Sequence, residues 1–266
     1  MEINTYLCPV KNLIQINMAS IISILNFKGG VGKTTTTLNL GAALAMAGKK
    51  TLLIDIDVQR NTTNVLGYRL SDGSSLYELM KNESKDYPIY DTNTSGLQFI
   101  PSSMKLSTLV FELANMFSRE TILRECLSPL QDIYDYILID CPPNTGVLTD
   151  NAIAASNTII VPVSCDAMSL QGVEIILARV KEAARVNKIN IGGFLINRYN
   201  ARRVQSRNVV NALSEYGVNV FKTYIRECEA LKAFCENHQN IFEYDAKSNG
   251  AKDYESLAKE IIELNI

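Results

Sequence analysis

The chain has 266 residues, 47% hydrophobic and 20% charged, with net charge −2 and a pI near 5.6. That length and apolar content suffice for one sizeable core without demanding a second domain. The acidic balance excludes a generally basic nucleic-acid binder, and no apolar run approaches the roughly 18–20 residues of a membrane span.

Residues 1 to 17, MEINTYLCPVKNLIQIN, lack the basic start, long apolar core and small-residue cleavage site of a secretory signal. The expected organisation is an N-terminal extension, residues 1–18, before one domain over 19–266. Met18 is a candidate native start, because MASIISILNF runs directly into the first strand.

IISILN (21–26) is rich in β-branched residues and stops at a Gly-rich loop, so it reads as a strand. KTTTTLNLGAALAMAG reads as a helix ending at a Gly stop. TLLIDID (51–57), DYILID (135–140), NTIIVPV (157–163) and IGGFLIN (191–197) are continuous apolar runs, the pattern of strands buried on both faces. Residues 70 to 96 are more polar and read as loops and short helices. Helical patterns follow at 169–186 and 203–217. A final one places Tyr254, Leu257, Ile261 and Leu264 on one face. Alternating strands and helices predict an α/β fold: a single domain with a mostly parallel twisted sheet and helices on both faces.

Ligands in such sheets bind outside the carboxyl ends of the strands. Four strand ends carry polar groups there: the loop 26–34, Asp55 with Asp57, Asp140, and Asn197. In that loop Gly29, Gly30, Val31 and Gly32 lead into Lys33, Thr34 and Thr35. Successive backbone N–H groups and the helix N-terminus make an anion cradle. Lys33 suits the β- and γ-phosphates, the Thr34 hydroxyl suits Mg²⁺, and Thr35 suits a phosphate nearer the ribose. Asp140, after four apolar residues, fits the acid that holds Mg²⁺ through a water. Asp55 and Asp57, two apart, suit metal coordination or water polarisation, with Asp55 the one expected to be a structural hydrogen-bond acceptor.

One detail departs from the usual phosphate loop. Phe27 stands where Gly is standard, and Lys28 follows it. Lys33 already serves the chain's own nucleotide. A second lysine therefore fits a charge supplied in trans to another protomer's transferring phosphoryl group, which makes hydrolysis depend on dimerisation.

Six cysteines, at 8, 126, 141, 165, 228 and 235, form no Cys-x-x-Cys pair, and His238 is the only histidine. A four-ligand structural zinc site is not expected. Cys126, Cys141 and Cys165 read as small buried thiols of a reducing compartment. From Ala183 to Ser214 no acid occurs, while Arg185, Lys188, Arg198, Arg202, Arg203 and Arg207 do.

KGGVGKTT, with its leading lysine, resembles the deviant Walker A motif of the ParA/MinD group of P-loop ATPases. LLIDIDVQRNTT, YILIDCPPNTGVLTDNAI and IFEYDAKSNGAKDYESLAKEI are similar to further segments of the ParA/Soj partition ATPases. The likeness runs from about residue 20 to 264. It implies two ATPs sandwiched between two subunits, with Lys28 crossing to the partner's phosphates. It also implies that Asp57 orients the attacking water and that Asn197 helps to hold adenine. Arg202 and Arg226 match positions through which the family binds nonspecific DNA, and Arg203 lies beside the first of them. A ParB-like, centromere-bound protein is the implied partner, and a nucleoid-associated place in the cytoplasm the implied location. The family's Pro and Gly after the second acid are here Val58 and Arg60, and its Pro and Asn around Arg226 are absent.

Two other readings stand beside partition. NRYNARRV resembles a MinD segment, and a MinD-like ATPase cycles on membranes through a basic terminal helix. The terminal helix here carries Asp253, Glu255, Glu260 and Glu263 against Lys252 and Lys259, so stable membrane binding is not expected. A metabolic or metal-cluster enzyme on the same scaffold would need paired cysteines at the dimer interface.

Overall fold

The computed structural model describes residues 18–69, 74–114, 116–166, 172–185 and 187–266. Apart from Met18, the expected N-terminal extension lies outside them. Eight strands form one sheet: β1 (Ser20–Ile24), β2 (Thr51–Asp55), β3 (Tyr90–Asp91), β4 (Leu97–Ile100), β5 (Tyr136–Asp140), β6 (Thr158–Ser164), β7 (Asn190–Tyr199) and β8 (Ile225–Arg226). Their order is β3-β4-β2-β5-β1-β6-β7-β8. Every pairing is parallel except β3 with β4.

The longer helices that position the site are α1 (Lys33–Met46), α2 (Val147–Ala155), α3 (Val173–Ala183), α4 (Val204–Glu215) and α5 (Asn249–Leu264). Alternate residues of each strand serve opposite faces. Ile22, Ile24, Leu53 and Leu138 pack in one core with α1 residues Leu38 and Leu40 and α5 residues Tyr254, Leu257 and Ile261. Ile21, Leu52, Ile54, Ile137 and Ile139 face the other core, which takes in Ala152 of α2, Ile176 of α3 and Leu213 of α4. Each fully buried side chain of this kind stabilises by roughly 1.5–3 kcal/mol. The expected α/β fold with helices on both faces is the one present.

Three boundaries differ from the sequence reading. β2 stops at Asp55, because the Asp57 N–H turns back to Asp55 Oδ1 at 3.1 Å. Asp57 is therefore in the turn beyond the strand, not on it. β7 runs on to Tyr199, so Asn197 lies within the strand rather than at its end. The third helix spans Val173–Ala183, and the flanking parts of the expected 169–186 run (169–171 and 186) lie outside the described residues. Strands β3, β4 and β8 were not expected; two are only two residues long, too short for a hydrophobic period to register.

β1 lies between β5 and β6, and the chain passes from one side of it to the other after β5. That reversal is the topological switch point where such sheets bind ligands. Pro162 stands in β6 at a height where β1 has already ended; the ladder between them runs only to Ile160. Its carbonyl accepts the Asn26 side-chain amide at 2.8 Å, which anchors the start of the Gly-rich loop.

Candidate nucleotide site

The loop after β1 is held from both ends. Asn26 Oδ1 accepts the Lys28 N–H at 2.9 Å. Gly32 caps α1 with φ 95°, a left-handed conformation that side chains disfavour. A Cβ there would also lie 2.7 Å from Asn197 Nδ2. Glycine at 32 thus answers both a backbone and a space requirement.

Lys33 is the first residue of α1 and is buried. Its ammonium donates to the Lys28 carbonyl at 3.2 Å. Burial pulls its pKa down, while the charges of Asp140, Cys141 and Asp57 act to raise it. The acids that oppose its desolvation come from two different strand ends, so the sheet brings them to one rim.

Asp55 and Asp140 are register partners on adjacent strands. Asp55 is fully buried and accepts the Thr63 N–H at 2.8 Å and the Thr63 hydroxyl at 2.7 Å. Burial, then the neighbouring Asp140, hold its carboxyl above the ordinary range. It is the structural acceptor the sequence reading expected. Asp140 Oδ2 accepts the hydroxyls of Thr34 at 2.8 Å and Thr62 at 2.7 Å. Burial also holds the Asp140 carboxyl up, against those two donations and the Lys33 charge.

Asp140 Oδ1 is buried and has no hydrogen-bond partner. A buried acceptor left unpaired costs about 1–3 kcal/mol. Its position beside the Thr34 hydroxyl fits a hydrated divalent cation, so the donor set is right for Mg²⁺. Asp57 is buried in the turn after β2; its Oδ1 accepts the Gln59 N–H at 3.0 Å and its carbonyl accepts the Ser102 hydroxyl at 2.6 Å. Arg60, three residues on, has φ 59°. The position the family gives to glycine keeps the left-handed backbone that glycine favours, although the residue here is arginine.

Asn197 reaches under the loop from β7. Its Nδ2 donates to the Val31 carbonyl at 2.9 Å and the Thr36 hydroxyl at 3.3 Å. Its Oδ1 is buried and unpartnered. The same side chain lines a cavity of about 350 Å³ with Val31, Gly32, Thr35, Arg226, Cys228, Leu231, Cys235 and Tyr254. Lys28 stands on the exposed shoulder of the loop, ion-paired with Asp166.

The three basic candidates lie beyond β7. Arg202 is exposed in the turn before α4, which begins at Val204; it does not start the helix. It shares a notch of about 460 Å³ with Tyr199, Asn200, Arg226 and Asn249. Arg203 pairs with Glu227 at 3.0 Å, and Arg226 makes a two-pronged contact with Asp253, the closer at 2.6 Å. The acid-free window is not one patch. Lys188 precedes β7 and Arg202 follows it, so the ten-residue strand puts them at its opposite ends. The structure therefore brings together Lys28, Lys33, Thr34, Asp57 and Asp140 at one rim, with Thr35 and Asn197 on the adjoining cavity.

Sequence reasoning missed Thr62 and Asp166. Thr62 follows the acidic turn in NTT, and Asp166 comes two residues after the end of β6. Both positions are legible only once the strand ends are known to converge.

Residues 19–192 match the family model described as an AAA domain. Residues 132–266 match that of 4Fe-4S iron sulfur cluster binding proteins, NifH/frxC family. The chain is 39% identical over 249 residues to the chromosome-partitioning ATPase Soj of Treponema pallidum, covering 92% of this chain and 98% of that one. A solved structure of cobyrinic acid a,c-diamide synthase from Mycobacterium smegmatis, with bound ATP analog and magnesium, superposes with a TM-score of 0.80 at 28% identity, covering 92% and 94%. The septum site-determining protein MinD of Pyrococcus horikoshii, complexed with Mg-ADP, gives 0.77 at 26% identity, covering 93% and 98%.

An iron–sulfur cluster is held by cysteine thiolates. Cys141, beside Asp140, is buried and its thiol is pushed up to about 12 by desolvation. Among the described residues no group of three or more His, Cys, Asp or Glu side chains is placed to hold a metal ion. Buried and held in its protonated form, Cys141 does not fit a cluster ligand. No helix of the described residues is long and apolar enough to cross a membrane. The phosphate loop, the Thr34–Asp140 pair and the nearly full-length likeness to Soj place the chain in the ParA/Soj family of P-loop ATPases, an enzyme that hydrolyses ATP with Mg²⁺.

Proposed function

We propose that this chain is a DNA-partition ATPase whose ATP-bound homodimer holds nonspecific DNA until a ParB-like, centromere-bound partner stimulates hydrolysis. The observation that carries the reading is the different setting of two loop lysines. Lys33 is buried against Asp57 and Asp140, whereas Lys28 stands half-exposed on the shoulder of the same loop.

Lys33 supplies the counter-charge for the β- and γ-phosphates of the chain's own ATP. The loop N–H groups and the α1 N-terminus hold the same phosphates. The Thr34 hydroxyl and Asp140, acting through a water, would hold Mg²⁺, which when bound would supply positive charge against the phosphates. Asp57 accepts a hydrogen bond from the attacking water and sets its line on the γ-phosphorus. Lys28 crosses to the partner's nucleotide and stabilises the charge on its transferring group. The unpartnered Asn197 Oδ1 suits a donor on the base or ribose in the adjoining cavity.

Arg202 is the preferred DNA contact, because Arg203 and Arg226 already face Glu227 and Asp253. The MinD-like reading is weaker: Tyr254, Leu257 and Ile261 of α5 are committed to the core, which leaves Leu264 as the helix's exposed large apolar side chain. The test is duplex DNA binding with ATP, with ADP and without nucleotide, run beside vesicle cosedimentation. ATP-dependent DNA binding without vesicle binding is expected; the reverse outcome moves the chain to the membrane-cycling class.

A further inference from the structure

The cavity beside the Gly-rich loop carries two thiols that the hydrolytic reaction does not use. Cys228 and Cys235 both line it, with Asn197, Leu231 and Tyr254. Asn197, whose buried Oδ1 has no hydrogen-bond partner, is among its lining residues, which marks it independently as a ligand cavity. At about 350 Å³ it sits at the small end of the roughly 300–1,000 Å³ range of ligand pockets. A group tethered to its wall would compete with a nucleotide base for that space.

The described cysteines differ in setting. Cys141 and Cys165 are buried in the core. Burial pushes the Cys126 thiol up to about 11 and also raises that of Cys235. Cys228 lies half-buried in the cavity wall, in the segment just after β8. Arg198, Arg226 and Lys232 line the same cavity, with Glu227 as the one acid among its lining residues. The thiolate is the nucleophile in thiol chemistry, and burial works against it at Cys126, Cys141, Cys165 and Cys235.

We propose that Cys228 is a thiol-modification site that switches nucleotide binding: its mixed disulfide with a low-molecular-weight thiol fills the base cavity and excludes ATP. The Cys228 sulfur attacks one sulfur of a small disulfide. The S–S bond breaks, one thiol leaves with the proton that Cys228 gave up, and the second stays joined to Cys228. The small disulfide is the oxidant and is reduced by one thiol equivalent. A reducing dithiol reverses the step. The consequence is reciprocal, since bound nucleotide covers Cys228 and protects it. This inference rests on the reading of the cavity as the base site of the nucleotide.

The experiment uses the full chain with glutathione disulfide as the probe. Modification is located by peptide mass spectrometry, and nucleotide affinity is followed with a fluorescent ATP analogue. Saturating ATP with Mg²⁺ is expected to slow Cys228 modification about tenfold or more, and the modified protein to bind ATP about tenfold or more weakly, with recovery on dithiothreitol. Cys228→Ser, compared with its own untreated sample, should lose the response; Cys235→Ser should keep it. Equal modification rates with and without ATP, or a Cys228→Ser protein that still responds, overturns the proposal while the ATPase reading stands. Failure of the fully reduced wild type to bind ATP would bring down the base-site reading, and the proposal with it.

Discussion

Lys28 Nζ donates to Asp166 Oδ1 within the same subunit. The lysine that the sequence singles out as a trans group is thus held in cis by an acid 138 positions away, whose other oxygen accepts the Ser164 hydroxyl. To reach a second subunit Lys28 must leave that carboxylate. The pair is partly exposed, so its strength is of the order of 0–1 kcal/mol. It is a bias on dimerisation, not a lock.

Asp166→Asn should therefore strengthen ATP-dependent dimerisation by roughly two- to fivefold, the conversion of about 0.5–1 kcal/mol. Lys28→Gln should bind ATP but lose ATP-dependent dimerisation or hydrolysis. Sedimentation with and without a non-hydrolysable ATP analogue checks both. An Asp166→Asn protein that dimerises like the wild type removes the cis restraint.

Lys33→Ala should abolish measurable ATP binding, since the buried counter-charge of the phosphates is gone. Asp57→Ala should bind ATP and dimerise, yet hydrolyse about 10²-fold more slowly, the usual loss when a proton-accepting group is removed. It should then accumulate on DNA. Single-turnover hydrolysis measured beside equilibrium ATP binding separates the two roles.

Asp55 predicts a pH signature in protein free of nucleotide and metal. Its folded pKa is raised by burial and by Asp140. The fold therefore prefers the neutral carboxyl: the contribution is complete below the ordinary value near 3.9 and is lost as pH rises through the raised folded value. Asp55→Asn keeps an acceptor for Thr63 and cannot ionise. Its Tm relative to wild type should rise steadily with pH through the neutral range. A constant difference would mean that Asp55 does not titrate there.

Arg60 keeps a left-handed backbone, and its Nε is buried without a partner. Arg60→Gly should stabilise the protein by about 0.5–1 kcal/mol, the left-handed penalty of an L residue less the extra entropy of glycine. Urea unfolding of the two proteins reads this directly, and a destabilised variant would show that the arginine side chain holds the turn.

Arg202→Ala should weaken ATP-dependent duplex binding without changing ATP binding. If about four to six phosphates are neutralised per dimer, the log–log salt slope of the wild type should be roughly −4 to −5, and the variant's shallower by about two. Arg226→Ala should instead destabilise the fold by about 1–3 kcal/mol, because Asp253 on α5 is left without its guanidinium. A salt titration with thermal melts distinguishes contact from scaffold.

Much of the nucleotide site is local, and so was legible in the chain itself. KGGVGKTT carries its own turn glycines, lysine and hydroxyls, and the apolar runs before Asp55 and Asp140 mark them as strand-end acids. The parallel α/β fold followed from strand–helix alternation for the same reason: hydrophobic period is a property of neighbours in sequence. Tertiary structure decided what depends on neighbours in space. Asp55 and Asp140 share a buried register, so one becomes a structural acceptor and the other keeps an open oxygen. Asn197 is tied to the loop across 166 positions, and Lys28 is held by Asp166. The six basic residues between Ala183 and Ser214 are contiguous in composition but divided in space, because β7 carries the chain along its whole length, from one rim of the sheet to the other, between Lys188 and Arg202. Charge density along a sequence becomes charge density on a surface only where the backbone does not cross the molecule in between.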